Sequence, residues 1–494
     1  MAEKSLNEQR NQRISNLREL EEAGFEAYPY SYEDGARAAA LQEKFADGEA
    51  GDHWDEQVTV AGRIMTFRGM GKASFATLQD ASGRIQAFFQ RDVLEKYRSL
   101  KKFDLGDWIE VTGTLFKTKT GELTVQVTDF RLLVKSLRPL PDKWHGVTDK
   151  ELRYRQRYLD LMVAPETRQP FVLRSRFIAL MRRYLDDLGF FEVETPVLQA
   201  IPGGAEARPF ITHHNALDHD FHLRISLELY LKRLIVGGFD AVYEIGRNFR
   251  NEGLSYKHNP EYTMIELYWA GRDYLDILKL VEDMMAHILT ELTGGTIITY
   301  QGTELNFTPP WPRVDFTEEI ARRAGLTFDL LDEQKLREWV AVHLPGGDEL
   351  PLAEQPIGQI LNRMYDIYLE PHLEQPTFVM DHPLAISPLA RKHRSREGVV
   401  ERFEPVVMGM EIGNAFSELN DAIDQRERFE AQLALREAGD EEAHQLDEDF
   451  LTALEYGMPP AGGLGLGIDR IAMLIADQPS IRDVILFPLM KPDG

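Results

Sequence analysis

Five strand-like runs follow one another between residues 58 and 134 and restrict the fold of this part of the chain. The runs are VTVAGRI, SFATLQD, RIQAFFQ, WIEVTGTLF and LTVQVTDFRLLV, with DASG and KTG as hairpin turns. A helical stretch, DVLEKYRSLKKF, separates the third run from the fourth. Five short strands within this length predict a small Greek-key barrel.

The charge of the chain is uneven along its length. The whole chain carries 56 basic and 81 acidic side chains, a net charge of -25 that favours solubility but does not indicate a fold. Residues 58–137 carry 13 basic and 8 acidic side chains, whereas residues 401–450 carry 4 and 15. The basic barrel favours a polyanionic partner and the oligonucleotide-binding kind of barrel, the OB-fold. A sugar- or protein-binding barrel fits the same strands and stays an alternative.

Composition excludes several classes of protein. The 494 residues predict two or three domains, and 43% hydrophobic residues are enough for a sizeable core. The absence of cysteine excludes disulfides, thiolate metal sites and a cysteine nucleophile. The start, MAEKSLNEQRNQRISNL, has no apolar signal core, and no stretch reaches the ~18 apolar residues of a membrane helix. We therefore expect a cytoplasmic protein without a membrane segment.

The pattern changes along the chain predict an α+β protein with four parts. They are an N-terminal helical extension and linker at 1–56, the barrel at 57–137, an arginine-rich linker at 138–164, and a second domain at 165–494. The second domain opens with the amphipathic helix FVLRSRFIALMRRYLDDLG and a strand, FFEVETPVL. Further amphipathic helices predict a helical insertion at roughly 275–370.

The densest group of polar residues lies at 241–270 and reads as strand, polar loop, strand. Side chains alternate across a strand. One face of the second strand therefore carries Tyr262, Met264, Glu266 and Tyr268, and the other carries Thr263, Ile265 and Leu267. The first strand and the loop add Asn248, Arg250, Glu252, Lys257, His258 and Asn259. Such a set can hold a phosphate and stack a base, although a solvated hairpin with ion pairs is the alternative.

A second group lies at 402–421, in RFEPVVMGMEIGNAFSELND. Alternation places Asn414, Phe416 and Glu418 on one face. Glu404 and Glu411 are seven residues apart, so on a straight strand they would face opposite ways. Sharing a metal would need a bend near Pro405, Gly409 or Gly413. Carboxylates beside a nucleotide typically hold Mg²⁺, and solvent-facing acids are the alternative.

A third group, GGLGLGIDR at 462–470, opens an apolar helix. Arg470 stands where a dinucleotide fingerprint would have its third glycine, which argues against a Rossmann fold. Glycines at a strand end let a ligand approach the backbone, and the helix start presents Arg470. Close packing of the strand against the helix would also account for these glycines.

Taken in this order, these segments resemble the bacterial class II lysyl-tRNA synthetases over nearly the whole chain. AGRIMTFRGMGKASFATLQD resembles the anticodon-binding domain of that family. GFFEVETPVLQAIPGGAEARPF is similar to motif 1 and its following loop, FRNEGLSYKHNPEYTMIELY to motif 2, and GLGLGIDRIAML to motif 3. LRISLELYLKRLIVGGF and EIGNAFSELND resemble the amino-acid pocket.

The resemblance implies a fold and a reaction. The fold is a five-stranded OB-fold barrel followed by a catalytic domain with an antiparallel sheet flanked by helices, paired into a homodimer through motif 1. The reaction forms lysyl-adenylate from ATP and L-lysine, then transfers lysine to the 3′ end of lysine tRNA. It implies Mg²⁺ bound with ATP, no zinc and no organic cofactor.

The resemblance also implies roles for individual residues. The ATP-binding residues would be Arg250, Glu252, His258, Asn259, Tyr262, Gly467 and Arg470, with Arg250 and Arg470 as the catalytic pair. The lysine-binding residues would be Gly204, Glu228, Glu266, Tyr268, Asn414, Phe416 and Glu418. Glu404 and Glu411 are the expected Mg²⁺ ligands. In the barrel, Arg68, Phe75, Gln86 and Glu122 would bind the anticodon, with Phe75 stacking on a base.

Other functions fit parts of the pattern. A relative that activates aspartate or asparagine would need basic or amide groups where Glu266 and Glu418 stand. An enzyme that attaches lysine to a protein is disfavoured, because known examples lack the barrel and the barrel is complete here. A nucleic-acid-binding protein without catalysis is disfavoured because Arg250, Arg470 and both carboxylates are all retained.

Overall fold

The structure is a computed structural model that describes residues 5–32, 35–141, 149–344, 352–437 and 445–492. It divides into two compact units, Met1–Arg153 with Tyr158–Ala164, and Tyr154–Arg157 with Pro165–Gly494. Residues of the predicted linker therefore belong to both units. Residues 142–148 of that linker and 345–351 of the predicted insertion lie outside the described residues. No helix among the described residues is long and apolar enough to cross a membrane.

The first unit is built around five strands. Its elements are α1 (Leu6–Glu22), α2 (Ala38–Lys44), β1 (His53–Met70), β2 (Ala73–Gln79), β3 (Arg84–Gln90), a 3-10 helix (Tyr97–Lys102), β4 (Trp108–Lys117) and β5 (Leu123–Val134). The strands close into a barrel in the order β1-β2-β3-β5-β4. The long β1 pairs with β4 along its first half and with β2 along its second, and a parallel β3–β5 pair completes the ring.

This closed ring confirms the predicted five-stranded barrel. Alternate strand residues point inward, so Leu78, Ala87, Val111 and Val125 are buried, and α1 adds Leu20 to the same core. The predicted helix between the third and fourth strands is wrong in extent. Only Tyr97–Lys102 is helical, as a 3-10 helix without a side-chain cap, because so short a connector cannot nucleate a regular α-helix.

Most of the helices begin at or after residue 150; the first two of these are divided between the two units, and the others belong to the second unit. From residue 150 onward they are α3 (Lys150–Arg155), α4 (Arg157–Val163), α5 (Gln169–Asp187), α6 (Glu228–Val236), α7 (Tyr274–Thr293), α8 (Phe316–Ala324), α9 (Glu333–His343), α10 (Ile357–Tyr368), α11 (Ala422–Glu437), α12 (Glu448–Glu455), α13 (Ile468–Ile475) and α14 (Ile481–Val484). Further 3-10 helices lie at Pro165–Arg168, Leu352–Glu354, Glu370–His372 and Leu384–Ile386.

Its strands are β6 (Phe191–Glu192), β7 (Leu198–Gln199), β8 (Ile211–His214), β9 (His219–Leu223), β10 (Ala241–Phe249), β11 (Glu261–Ala270), β12 (Ile297–Tyr300), β13 (Thr303–Asn306), β14 (Arg313–Asp315), β15 (Thr377–Met380), β16 (Arg402–Val407), β17 (Met410–Glu411), β18 (Gly413–Ser417) and β19 (Ala461–Gly467). The main sheet has the order β14-β15-β16-β18-β19-β11-β10-β6, with β17 paired to β16. Its central pairs are antiparallel, as predicted, and the short pairs at its two ends are parallel, which makes the whole sheet mixed.

Helices cover one face of this sheet. Phe177 and Met181 of α5, Met284 of α7 and Ile471 of α13 pack with Leu267 of β11 in one apolar core. Helix α7 begins at a capping box between Asp273 and Asp276 and ends at Gly294 in the left-handed conformation. On the opposite face, apolar residues of α6 and α12 share a second core with Val242 and Tyr268, and polar side chains line the cavity beside it.

Two sequence-based expectations change here. The predicted strand FFEVETPVL is wrong in extent: it is reduced to Phe191–Glu192 and Leu198–Gln199, since Pro196 cannot donate to a ladder between them. The separate helical layer begins at Phe316 rather than near 275, because α7 packs on the main sheet. That layer, α8 to α10, has its own apolar core and packs against Val379 and Val406 of the sheet.

Candidate active site

One cavity of about 410 Å³ in the second unit gathers residues from every sequence motif of that unit. The predicted site residues that line it are Gly204, Glu228, Arg250, Glu252, His258, Asn259, Tyr262, Glu266, Tyr268, Glu404, Glu411, Asn414, Phe416, Gly467 and Arg470. Glu418 is not among the lining residues. It is buried just behind the wall, where an added Cβ on the lining residue Gly463 would meet its Oε1.

Strand β11 supplies the floor of the cavity by the predicted alternation. Tyr262, Glu266 and Tyr268 line the cavity, whereas Ile265 and Leu267 are buried in the core on the other side. The two faces therefore separate as the sequence pattern predicted. A single strand therefore presents both an aromatic ring and a buried carboxylate to the cavity.

Arg250 reaches the cavity from a loop rather than from a strand. Strand β10 ends at Phe249, and the Arg250 N–H donates to the Pro260 carbonyl at 2.8 Å. The prediction that Asn248, Arg250 and Glu252 share a strand face is wrong, because Asn248 is fully buried and the strand stops after it. Burial lowers the pKa of Arg250, but Tyr262 and nearby carboxylates more than offset this, and its guanidinium lies 5.4 Å from the Tyr262 ring.

Arg470 enters the same cavity from the first turn of α13. Its guanidinium donates to the Glu411 carbonyl oxygen at 2.5 Å and lies 3.2 Å from Glu411 Oε2. It also lies 3.1 Å from His258 Nε2. Burial and then the Arg470 charge lower the pKa of His258 to about 4, so the ring is neutral at pH 7. Because arginine can only donate, His258 Nε2 accepts, and Nδ1–H donates to Ser255 Oγ at 2.8 Å.

A tight hairpin brings Glu404 and Glu411 to one side of the sheet. Met408 and Gly409 both have positive φ, and β17 folds back on β16 so that Glu411 lies opposite Val406. Since Glu404 and Val406 point the same way, the reversal supplies the bend that the seven-residue spacing required.

The two carboxylates suit a hard cation. Burial raises the pKa of Glu411; Arg470 opposes this rise, and the Glu404 charge adds to it. Such repulsion between oxygen donors is relieved by Mg²⁺, which commonly binds one or two carboxylates and completes its shell with phosphate oxygens and water. Within the described residues, no cluster of three or more metal-ligating side chains occurs.

Glu266 is the buried carboxylate at the centre of the predicted lysine pocket. Its Oε1 accepts hydrogen bonds from Ser226 Oγ and the Leu227 N–H, both at 3.0 Å, and Tyr268 Oη lies 3.4 Å from Oε2. Burial and then the Glu228 charge raise the pKa of Glu266 to about 7. A carboxylate that is this costly to ionise without a partner favours the arrival of a cation.

Sequence reasoning missed two basic residues next to the site. Lys232 is fully buried and pairs with Glu228 and Glu418. Arg402 donates to Glu404 Oε1 at 2.6 Å and to Asn414 Oδ1 at 3.0 Å, and so connects the Glu404 carboxylate with the Asn414 amide. Both had a sequence signal, since Lys232 is four residues after Glu228 on a helix and Arg402 is two residues before Glu404 on a strand.

Glycines keep the pocket open at two points. An added Cβ at Gly463 would lie 1.9 Å from Glu418 Oε1 and 2.6 Å from the Tyr268 ring. Gly204 has φ of +86°, and a Cβ there would meet Ser226 Oγ at 2.8 Å. Both positions therefore require glycine for the neighbouring polar groups to stay in place.

The barrel brings its four predicted residues together on one face. Arg68 lies opposite Phe75 across the β1–β2 pair, and the Phe75 ring lies 4.6 Å from that of Phe88. Gln86 donates to Glu122 Oε2 at 2.7 Å. Phe75 and Phe88 are half-buried, so an aromatic surface with polar neighbours is accessible to a base.

Two family models match the chain. Residues 149–491 match the tRNA synthetases class II (D, K and N), and residues 58–133 match the OB-fold nucleic acid binding domain. Together these matches cover both structural units.

Known relatives match nearly the whole chain. The lysine–tRNA ligase of Deinococcus radiodurans is 55% identical over 99% of this chain and 95% of the relative. The lysine–tRNA ligase of Moorella thermoacetica is 53% identical over 97% of each, and that of Clostridium perfringens is 50% identical over 99% and 98%. The chain therefore belongs to the lysine–tRNA ligases, a family of the class II tRNA synthetases.

Proposed function

We propose that this protein activates L-lysine with ATP and transfers it to lysine tRNA, using the residues of the single cavity described above. The observation that carries the proposal is the convergence of Arg250 and Arg470, from distant parts of the chain, on a cavity that also contains Glu228 and Glu266. Two arginines suit a polyphosphate, and two buried carboxylates suit an amino acid with two ammonium groups.

In the first step, a lysine carboxylate oxygen attacks the α-phosphorus of ATP while the bond to the pyrophosphate oxygen breaks. The carboxylate is already ionised, so this step needs no general base. Arg250 would hold the α-phosphate, and Arg470 with the neutral His258 would hold the outer phosphates. Tyr262 would stack on the adenine, with Glu252 and Asn259 beside the nucleotide and Gly467 leaving room for it. Catalysis then consists of positioning and charge stabilisation.

Glu404 and Glu411 would hold Mg²⁺, which supplies positive charge to the phosphate oxygens when bound. Arg402 and Tyr365 orient Glu404, because they bond its Oε1 and Oε2 at 2.6 and 2.9 Å. Arg470 orients Glu411 in the same way. The chain thus holds each carboxylate in place with at least one side-chain donor of its own.

The lysine substrate would lie between Glu228 and Glu266. Glu228 and Gly204 would receive the α-ammonium end, and Glu266 with Tyr268 the side chain. Asn414 and Phe416 would shape the pocket, and Glu418 adds negative charge. A neutral amino acid would leave buried carboxylates unpaired, so we expect strong discrimination against it.

In the second step, the terminal ribose hydroxyl of the tRNA attacks the lysyl carbonyl and AMP leaves. The barrel would read the anticodon, with a base on Phe75 and base edges at Arg68, Gln86 and Glu122. A tRNA substrate supports a cytoplasmic location for this activity.

We also propose a homodimer through motif 1. Phe191 and Phe239 have side chains 58% and 40% exposed, and their rings lie 5.6 Å apart. Leu198 and Ile211 are exposed nearby in sequence. An apolar group of this kind is characteristic of an interface. Sedimentation of the Phe191→Asp variant should show a monomer where the parent sediments as a dimer.

The decisive experiment is ATP–pyrophosphate exchange with each of the twenty amino acids in turn. Lysine should support exchange at a rate that exceeds any other amino acid by at least about 10³-fold in kcat/KM. Dominant exchange with aspartate or asparagine would overturn the proposed substrate, and no exchange with any amino acid would overturn the proposed reaction.

A further inference from the structure

Lys232 is a fully buried ammonium group beside the substrate cavity. It lies on α6, one helical turn after Glu228, and its Nζ is 2.5 Å from Glu228 Oε1. The same Nζ contacts Glu418 Oε2, from the chain just after β18. Lys232 therefore bridges two carboxylates that come from different parts of the second unit.

The rest of its surroundings is aromatic. The rings of Phe416, Tyr268 and Phe450 lie 5.4, 5.9 and 6.0 Å from Nζ. A buried ammonium group is costly to remove from water and is retained where carboxylates and aromatic faces replace its hydration. Burial lowers the pKa of Lys232, but Glu228 and Glu418 more than offset this, so the group stays charged.

Three carboxylates surround the lysine side of the cavity: Glu228, Glu266 and Glu418. Other charged groups also face them. Arg402 faces Glu228 from β16, but it is hydrogen-bonded to Glu404 and Asn414. Arg250 faces Glu266 from the loop after β10, where the proposed phosphate lies. Lys232 is the cation in direct contact with members of this trio.

The charges can be counted. With all three carboxylates ionised, as in a pocket that pairs with bound lysine, the trio and Lys232 together carry two negative charges, and L-lysine brings two ammonium groups. We propose that Lys232 is a positioning residue that acts as an internal counter-ion, fixing the charge of the lysine pocket at two negative charges and holding Glu228 and Glu418 in place. This inference rests on the proposed lysine activation and assigns the pocket a component that never touches the substrate.

The alternative to an internal cation is an internal proton. Burial raises the pKa of Glu228 and of Glu418 even with Lys232 present. Without Lys232, the pKa values of Glu228 and Glu418 would rise further, so the three carboxylates would keep a proton at neutral pH even when lysine is bound. One ammonium group of the substrate would then meet a neutral carboxyl group. The affinity for lysine would depend on pH in a higher range than in the parent, where that carboxyl group ionises.

The test is the pH dependence of kcat/KM for lysine in the ATP–pyrophosphate exchange reaction. Lys232→Met keeps the shape of the side chain and removes its charge. We expect kcat/KM for lysine to fall about 30- to 1000-fold at pH 7, with the KM for ATP changed less than about threefold. The acid limb of the profile is the fall in kcat/KM at low pH, where the pocket carboxylates take up protons. Its midpoint should move to a pH higher by about one unit or more, because an opposite charge at contact distance shifts a carboxyl pKa by roughly that amount.

Two further variants separate the effect of the lost charge on the pH profile from the effect of damage to the fold. Glu418→Gln removes one negative charge and should move the acid limb to lower pH. The double variant Lys232→Met with Glu418→Gln restores two negative charges and should return the limb to within about 0.3 pH units of the parent, a small part of a one-unit shift. This comparison also serves if Lys232→Met alone does not fold, because the double variant leaves one buried carboxylate, Glu228, without its partner instead of two.

The matched control is Lys279→Met on α7, an exposed lysine that pairs with Asp283 four residues along at 2.9 Å. It should leave the lysine profile unchanged. An unshifted limb in Lys232→Met, or identical limbs in Glu418→Gln and the double variant, would overturn the inference. Failure of the parent to exchange with lysine would instead overturn the proposed function.

Discussion

Replacing Glu266 by glutamine tests the electrostatic basis of lysine selection. The substitution keeps the shape of the side chain and its ability to accept from Ser226 and Leu227, but removes the charge that an ammonium group would meet. Removing one partner of a buried ion pair costs about 3 to 5 kcal/mol. We therefore expect kcat/KM for lysine to fall roughly 10²- to 4 × 10³-fold, while the KM for ATP changes less than about threefold.

The same variant should become more stable when no substrate is bound. The difference between an ordinary carboxyl pKa of 4.5 and about 7 in the folded protein corresponds to about 3 kcal/mol. The folded state binds the proton more tightly than the unfolded state, so this stability is fully present below pH 4.5 and is lost as pH rises to about 7. Glu266→Gln should escape that loss and unfold at a higher temperature than the parent at pH 8.

Pyrophosphate exchange at several lysine concentrations between pH 6 and pH 8, combined with thermal unfolding at pH 5 and pH 8, measures both effects. Glu291→Gln, on the exposed side of α7, is the matched control and should change neither. Unchanged lysine kinetics in Glu266→Gln would refute the assigned role, and an equal loss of ATP affinity would show general damage to the cavity.

Three further predictions concern Phe75 of the barrel, Gly463 of β19 and His258. Phe75→Ala should reduce kcat/KM for tRNA in aminoacylation roughly 5- to 150-fold, as expected for one lost stacked base, and leave pyrophosphate exchange within about twofold; equal losses in both assays would contradict a separate reading surface. Gly463→Ala should raise the KM for lysine more than the KM for ATP, because its Cβ would displace Glu418 and Tyr268, and a well-tolerated alanine would contradict the geometry. Histidine proton NMR should show a ring with a pKa of about 4 that is absent in His258→Asn; titration near pH 6.5 would contradict the burial of this ring beside Arg470.

Local patterns were sufficient to predict much of this structure. Period-two alternation predicted which residues of β11 line the cavity, and turn sequences predicted the barrel strands. Both depend only on neighbours along the chain and on which face is buried. The course of the chain after Phe249 could not be predicted this way, because the position of Arg250 depends on a backbone bond to Pro260 across the loop.

The sequence also did not predict which distant segments contact one another. The positions of Glu228 and Lys232 one helical turn apart were visible, but the third member, Glu418, comes from nearly two hundred residues further along. Likewise, the glutamate pair at 404 and 411 required a bend, and only the structure shows that Met408 and Gly409 form it. Such contacts are fixed by tertiary packing, which sequence spacing does not encode.

The helical layer formed by α8 to α10 is tied to the nucleotide side of the cavity. Tyr365 of α10 bonds Glu404, and Glu370, shortly after it, accepts from the Glu411 N–H at 3.1 Å and pairs with Lys257 at 3.2 Å. Ligand binding at the carboxylates should therefore slow amide hydrogen exchange in this layer, although most of it lies away from the cavity. Deleting the layer would expose the back of Glu404 and Glu411, the proposed metal ligands, so a shortened enzyme is expected to lose ATP use before it loses its main sheet.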